Sequence, residues 1–138
     1  FDADIISLGQ KAVEEKMAEL EAKDKREAKE EELYVVLQLA WEMYIRGFTC
    51  LKVDLYRSKA DRFTMLPEEN AILPPFTALG GLGSVDAHSL EEERENGEYS
   101  SVENLKKRTG ITKTSVEALR NHGCLDGMEE SDQLSLFG

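Results

Sequence analysis

Apolar residues recur at helical spacing through the first third of the chain. Ile6, Val13, Met17 and Leu20 predict a first helix over about 3–21, with Asp4 as its cap. The sequence then turns almost wholly charged from Ala22 to Glu32, the pattern of a solvated turn or a helix overhang. A second helix is predicted over about 29–46. Leu33, Val36, Leu37, Ala40 and Tyr44 form its stripe, Trp41 lies beside it, and Gly47 ends it. The two helices should pack antiparallel as a hairpin, with the aromatic residues in its core.

The periodicity changes at Phe48. Residues 48–56 are β-rich and partly alternating, Arg62 to Leu66 suit a second short strand, and Ser58 to Asp61 suit the turn between them. The stretch Ile72-Leu73-Pro74-Pro75-Phe76 breaks regular structure, because paired prolines exclude helix and central strand. It marks the expected boundary between residues 1–72 and an all-helical part. There, helices are predicted over about 84–95, 101–108 and 113–122, with Ser101 and Thr112 as caps and Asn96-Gly97 and Gly123 as stops. The fold class expected is mainly α with a small β element: a helical hairpin plus short strands, a helical domain over 73–127, and a flexible tail over 128–138.

Charge narrows the function classes. A net charge of −11 argues against whole-surface attraction to nucleic acid and leaves room for a local site. No apolar run approaches the length of a membrane-spanning helix, so a soluble, cytoplasmic protein with no membrane partner is expected. The chain starts at Phe1 without an initiator Met or a signal peptide and reads as a fragment or a processed product. Cys50 and Cys124 lie far apart without ligand spacing, which suits buried thiols in a reducing compartment.

Two turns carry candidate chemistry. Gly80-Gly81-Leu82-Gly83 before Ser84 has the glycine–hydrophobe–glycine core of a helix-hairpin-helix unit. Its glycines let the backbone approach a phosphate, Leu82 anchors the hairpin, and the next helix offers free N–H groups. Such a site grips sugar-phosphate and reads no bases. A purely structural turn has the same pattern. About thirty residues on, Thr109-Gly110-Ile111-Thr112-Lys113-Thr114 repeats the arrangement, behind Lys106, Lys107 and Arg108. The alternative there is a solvated basic face. Against phosphate binding stand Asp86 in the first turn and Glu91, Glu92, Glu93 and Glu95 further along the same helix. His88 and His122 have no neighbouring ligand set and suit surface or capping roles, and Asp54 and Asp61 flank a turn. No catalytic constellation, two-metal carboxylate set or Walker-type loop is visible.

The chain closes on Gln133-Leu134-Ser135-Leu136-Phe137. Burying each Leu or Phe is worth roughly 1.5–3 kcal/mol, so three apolar residues with one glutamine suit a peptide that docks in a partner's pocket. A tail folded back on its own domain is the other reading.

Taken in order, Arg46-Gly47-Phe48, Val53-Asp54-Leu55-Tyr56-Arg57-Ser58, Leu73-Pro74-Pro75-Phe76, Gly81-Leu82-Gly83, Gly97-Glu98-Tyr99, Lys113-Thr114, His122-Gly123-Cys124-Leu125 and Gln133 to Phe137 resemble the C-terminal end of PolC. PolC is the replicative DNA polymerase III α subunit of low-GC Gram-positive bacteria. The resemblance implies that residues 1–72 end the polymerase fingers and that 73–127 form a tandem helix-hairpin-helix domain on double-stranded DNA. That domain would bind through Gly81, Leu82, Gly83, Ser84, Lys106, Lys107, Arg108, Thr112, Lys113 and Thr114. It implies a β sliding clamp as partner for Gln133, Leu134, Ser135, Leu136 and Phe137, and the rest of the polymerase chain as another. Catalytic residues and the divalent metal, Mg, would belong to the remainder of the DNA-directed DNA polymerase, leaving this fragment without a cofactor and inactive alone. The sequence departs from the family at Asp86, His88 and Glu92, where small or apolar residues and a lysine are usual. The alternatives are another family-C polymerase, a clamp-binding repair protein, or a helical protein–protein adaptor.

Overall fold

The computed structural model describes residues 2–132; the peptide Gln133 to Phe137 lies outside the described residues. The first predicted helix is two. Helix α1 (Ala3–Ile6) and helix α2 (Gln10–Glu21) are separated at Gly9, whose φ of +110° is a conformation that side-chain-bearing residues rarely adopt. The α1 cap is Asp2, not Asp4: its carboxylate accepts from the Ile5 amide at 3.2 Å. Helix α3 (Ala28–Ile45) starts at a capping box in which Glu27 and Glu30 accept each other's backbone N–H groups.

Helices α2 and α3 pack together as the expected hairpin. The core between them joins Val13 and Leu20 to Leu37 and Ala40, closed at the base by Ile6 and Cys50. Polar tips of aromatic residues pin the pair: Trp41 Nε1 donates to Glu14 at 2.9 Å, and the Tyr44 hydroxyl donates to the Ile6 carbonyl at 2.5 Å.

The β element is smaller than residues 48–56 suggested. Strand β1 is Thr49–Cys50, β2 is Thr64–Leu66 and β3 is Ala71–Leu73. β3 is central, parallel to β1 and antiparallel to β2. The expected strand ends early because Asp54 starts a turn: its Oδ1 accepts from Tyr56 and Arg57 amides at 2.9 and 3.0 Å, and the Asp54 amide donates to Ser58 Oγ at 2.9 Å. Pairing also differs from a β1–β2 hairpin, since both strands bond to a third that ends at Pro74, where the ladder runs out of donors.

Helices α4 (Ser84–Glu93), α5 (Val102–Thr109) and α6 (Lys113–His122) follow, close to their predicted limits. Their core gathers Leu90, Leu105 and Leu119 around Phe76, with Val53, Leu55 and Ala60 from before the proline pair and Ala3 from α1. Among the described residues, no helix is long and apolar enough to cross a membrane.

His122 ties this second core to the start of the chain. A surface or capping role was expected; the residue is 5% exposed. Its Nε2 accepts from the Val53 amide at 2.9 Å, which puts the proton on Nδ1, 2.7 Å from Asp4 Oδ1. Without the imidazole, the buried Val53 amide would lack that acceptor, a loss worth about 1–3 kcal/mol. Both thiols are free and held protonated: burial pushes Cys50 up to about 11, and burial with the nearby Asp54 and Asp4 charges pushes Cys124 up to about 12.

Candidate nucleic-acid interface

The two glycine turns each open a helix, as their sequences predict. Before α4, the chain passes a single 3-10 turn at Phe76–Ala78 and bends at Gly81, whose φ is +89°. A side chain there would also be crowded, since a Cβ would lie 3.2 Å from Thr114 Cγ2. So Gly81 serves two ends at once: the turn, and the close approach of the second hairpin. Leu82, 4% exposed, and Ile111, 3% exposed, are the apolar anchors of the two turns. Gly83, Ser84 and Val85 face solvent, and no side chain caps the start of α4.

The second hairpin ends differently. Thr112 caps α6 through its hydroxyl, which accepts from the Ser115 amide at 3.1 Å. Asp86 then reaches across from α4. Its Oδ2 lies 3.1 Å from the Thr112 amide, 3.2 Å from the Thr112 hydroxyl and 2.5 Å from the Ser115 hydroxyl. Partial burial pushes the Asp86 carboxyl up, and these three donors more than offset it, so the group sits below the usual carboxylate value.

The basic residues separate into two sets. Lys106 and Lys113 are exposed and line one groove of about 420 Å³ between α5 and α6, floored by Val102 and Val116 and shared with Glu103, Glu117 and Glu130. Arg120 lines it too, paired to Glu117 at 3.5 Å and to Glu130. Lys107 is exposed on α5 but does not line this groove. Arg108 turns inward. Its guanidinium donates to the carbonyls of Glu93, Gly97 and Glu98 at 3.1, 2.9 and 2.9 Å, meets the Glu93 carboxylate at 3.2 Å, and lies 4.5 Å from the centre of the Tyr99 ring. Glu93 is therefore spent on Arg108, whereas Glu92 and Glu95 face solvent on the α4 side. His88 is half-exposed, 3.4 Å from Asp61.

The route to the tail is anchored. The Val102 and Glu103 amides at the start of α5 donate to the Glu129 and Glu130 carbonyls at 2.8 and 3.0 Å. Ser131 Oγ donates to Glu103 at 2.7 Å, and Ser100 Oγ donates to Asp132 at 2.7 Å. Among the described residues, no cluster of His, Cys, Asp and Glu is arranged to hold a metal ion.

Sequence reasoning missed the roles of Asp86, Arg108 and His122. For His122 a signal existed: Ser115, Leu119 and His122 continue one helical face. Asp86 and Arg108 gave no local sign, because their partners lie 26 to 29 and up to 15 residues away, respectively.

A profile of the helix-hairpin-helix motif matches residues 47–134. Among curated proteins, the chain is 49% identical over its whole length to "DNA polymerase III PolC-type" of Clostridium perfringens. The PolC-type proteins of Halalkalibacterium halodurans and Bacillus subtilis are 46% and 42% identical over 99% of it. It spans about 10% of the length of each of these relatives.

Proposed function

The chain belongs to the helix-hairpin-helix family, and on that premise we propose that it is a segment of a replicative, PolC-type DNA polymerase that holds the enzyme on its template. The observation that carries this reading is likeness to such polymerases over the whole chain rather than over one motif. Two functions follow. The paired hairpins hold the backbone of duplex DNA without reading its bases, and the terminal peptide Gln133 to Phe137 binds the β sliding clamp in the cytoplasm. Each contact is modest, and linking them raises the effective concentration of one site for the other. The chemistry of nucleotide addition belongs to the rest of the polymerase, so this segment alone is expected to be inactive.

Lys106, Lys107 and Lys113 are the exposed lysines this reading assigns to phosphate, since Arg108 is committed internally and Arg120 is paired. Lys113→Glu is expected to weaken duplex binding and to reduce the slope of log affinity against log salt by about one ion. Fluorescence anisotropy with a labelled duplex, without clamp, measures both quantities. An unchanged slope excludes Lys113 as a phosphate contact. No binding by the unmutated chain at low salt favours the protein–protein adaptor instead.

The remaining polymerase chain also has a proposed seat. Val35, Leu39, Ile45 and Met65 are more than half exposed, and a cleft of about 350 Å³ lies between α3 and the sheet, lined by Val36, Leu39, Ala40, Met43, Phe63 and Ile72. An apolar face of this kind marks an interaction surface. Taken away from the polymerase, the segment is expected to self-associate through it, and Leu39→Glu is expected to restore the monomer. Sedimentation at increasing concentration checks this; a wild-type chain that stays monomeric overturns it.

A further inference from the structure

The two hairpin helices are unequal in a way that bears on how the domain holds DNA. The start of α4 has no side-chain cap and faces solvent, whereas the start of α6 carries a carboxylate supplied by α4 itself. The positive ends of helices are ordinarily where an anion binds. At α6 the amide of Thr112, which would reach toward a phosphate in a second helix-hairpin-helix grip, already donates to Asp86. The two hydroxyls beside it are drawn to the same oxygen. Ser115, 1% exposed, has its hydroxyl turned to that oxygen at 2.5 Å.

We propose that Asp86 is the resident anion of the second hairpin: it closes the α6 end to phosphate and makes the grip on duplex DNA one-sided. The inference deepens the duplex-binding reading and rests on it. One carboxylate does two jobs here. It joins the hairpins through donors on α6, and it fills the place a backbone phosphate would take, so that contact falls to the Lys106–Lys113 groove and the open first hairpin. Its reach is 26 residues along the chain, which makes it a specificity-determining group set by packing rather than by the second hairpin's own sequence.

The test compares the wild-type chain with Asp86→Asn and Glu92→Gln. Asparagine keeps the shape and one acceptor oxygen, but a neutral amide holds the Thr112 amide and the two hydroxyls less strongly than a carboxylate, so phosphate can displace it. Glu92→Gln removes the same charge from an exposed position on the same helix. Duplex affinity is measured by anisotropy over a salt series. Asp86→Asn is expected to bind at least fivefold more tightly, with a salt slope steeper by about one ion. Glu92→Gln is expected to change affinity less than twofold and to keep the wild-type slope. Equal gains in the two variants, or no gain in either, overturn the proposal. A second measurement works without DNA: inorganic phosphate is titrated while the Thr112 and Ser115 amide resonances are followed. Shifts in Asp86→Asn and none in wild type support the proposal, and equal behaviour of the two refutes it. If wild type fails to bind duplex, the duplex-binding reading falls, and the phosphate titration still decides the role of Asp86.

Discussion

Changing Leu136 and Phe137 together to alanine is expected to abolish binding to a sliding clamp and to leave the fold unchanged. Each of these side chains contributes roughly 1.5–3 kcal/mol when buried in a partner's pocket. Their joint loss is then about 3–6 kcal/mol, on the order of a hundred-fold to ten-thousand-fold in affinity. The fold is expected to survive because the described side chains already pack into two buried clusters, around Phe76 and around Val13 and Leu37. Hydrogen bonds hold residues 129–132 against the start of α5, up to the residue before the peptide. A titration of the double variant against purified clamp checks it. Affinity equal to wild type would refute the assignment, and a large drop in thermal stability would instead favour a tail folded back on its own domain.

Arg108→Lys carries the second large effect. A lysine has one ammonium group where the guanidinium spans three carbonyls and a carboxylate and stacks on Tyr99, so the substitution is not conservative. Hydrogen bonds to charged groups are worth about 1.5–3 kcal/mol each, and lysine can keep only part of the set, so a loss of about 2–4 kcal/mol in stability is expected. Urea unfolding would report it as a lower midpoint at an unchanged slope. Duplex affinity of the folded variant should stay near that of wild type. The opposite pattern, intact stability with weakened duplex binding, would return Arg108 to the phosphate-contact set. The same residue explains how the loop from Arg94 to Tyr99 is held: its carbonyls converge on one cation instead of on a strand.

Much of the architecture was legible along the chain, for reasons local to each element. The limits of α5 and α6 follow from Ser101 and Thr112, whose hydroxyls accept from the amides three residues on, and from Gly110 and Gly123, which take the left-handed turn at the far ends. The α2–α3 hairpin follows from two apolar stripes that bury against each other, with Ile6 and Cys50 closing the base. The β element was harder, because strand propensity in residues 48–56 competes with the Asp54–Ser58 turn, and the partner strand β3 hides beside two prolines. Pairing in a sheet is decided by neighbours distant in sequence, which a residue-by-residue pattern does not reveal.

The candidate interface divides along the same line. Spacing alone placed two glycine turns at helix starts and set Lys106 and Lys113 on neighbouring helices. Composition could not say which charges remain available, because a charged side chain's role depends on what lies within about 3 Å of it once the chain has folded. Packing turned Arg108 inward, carried Asp86 onto the end of α6, and buried His122 between Asp4 and Val53. The amino-acid order determined the helices, their caps and the anchors of both hairpins, since these depend on backbone groups only a few residues apart. Which charges face solvent, and which hairpin end stays open to an anion, was decided only by the tertiary structure, where residues 26 to 118 positions apart meet.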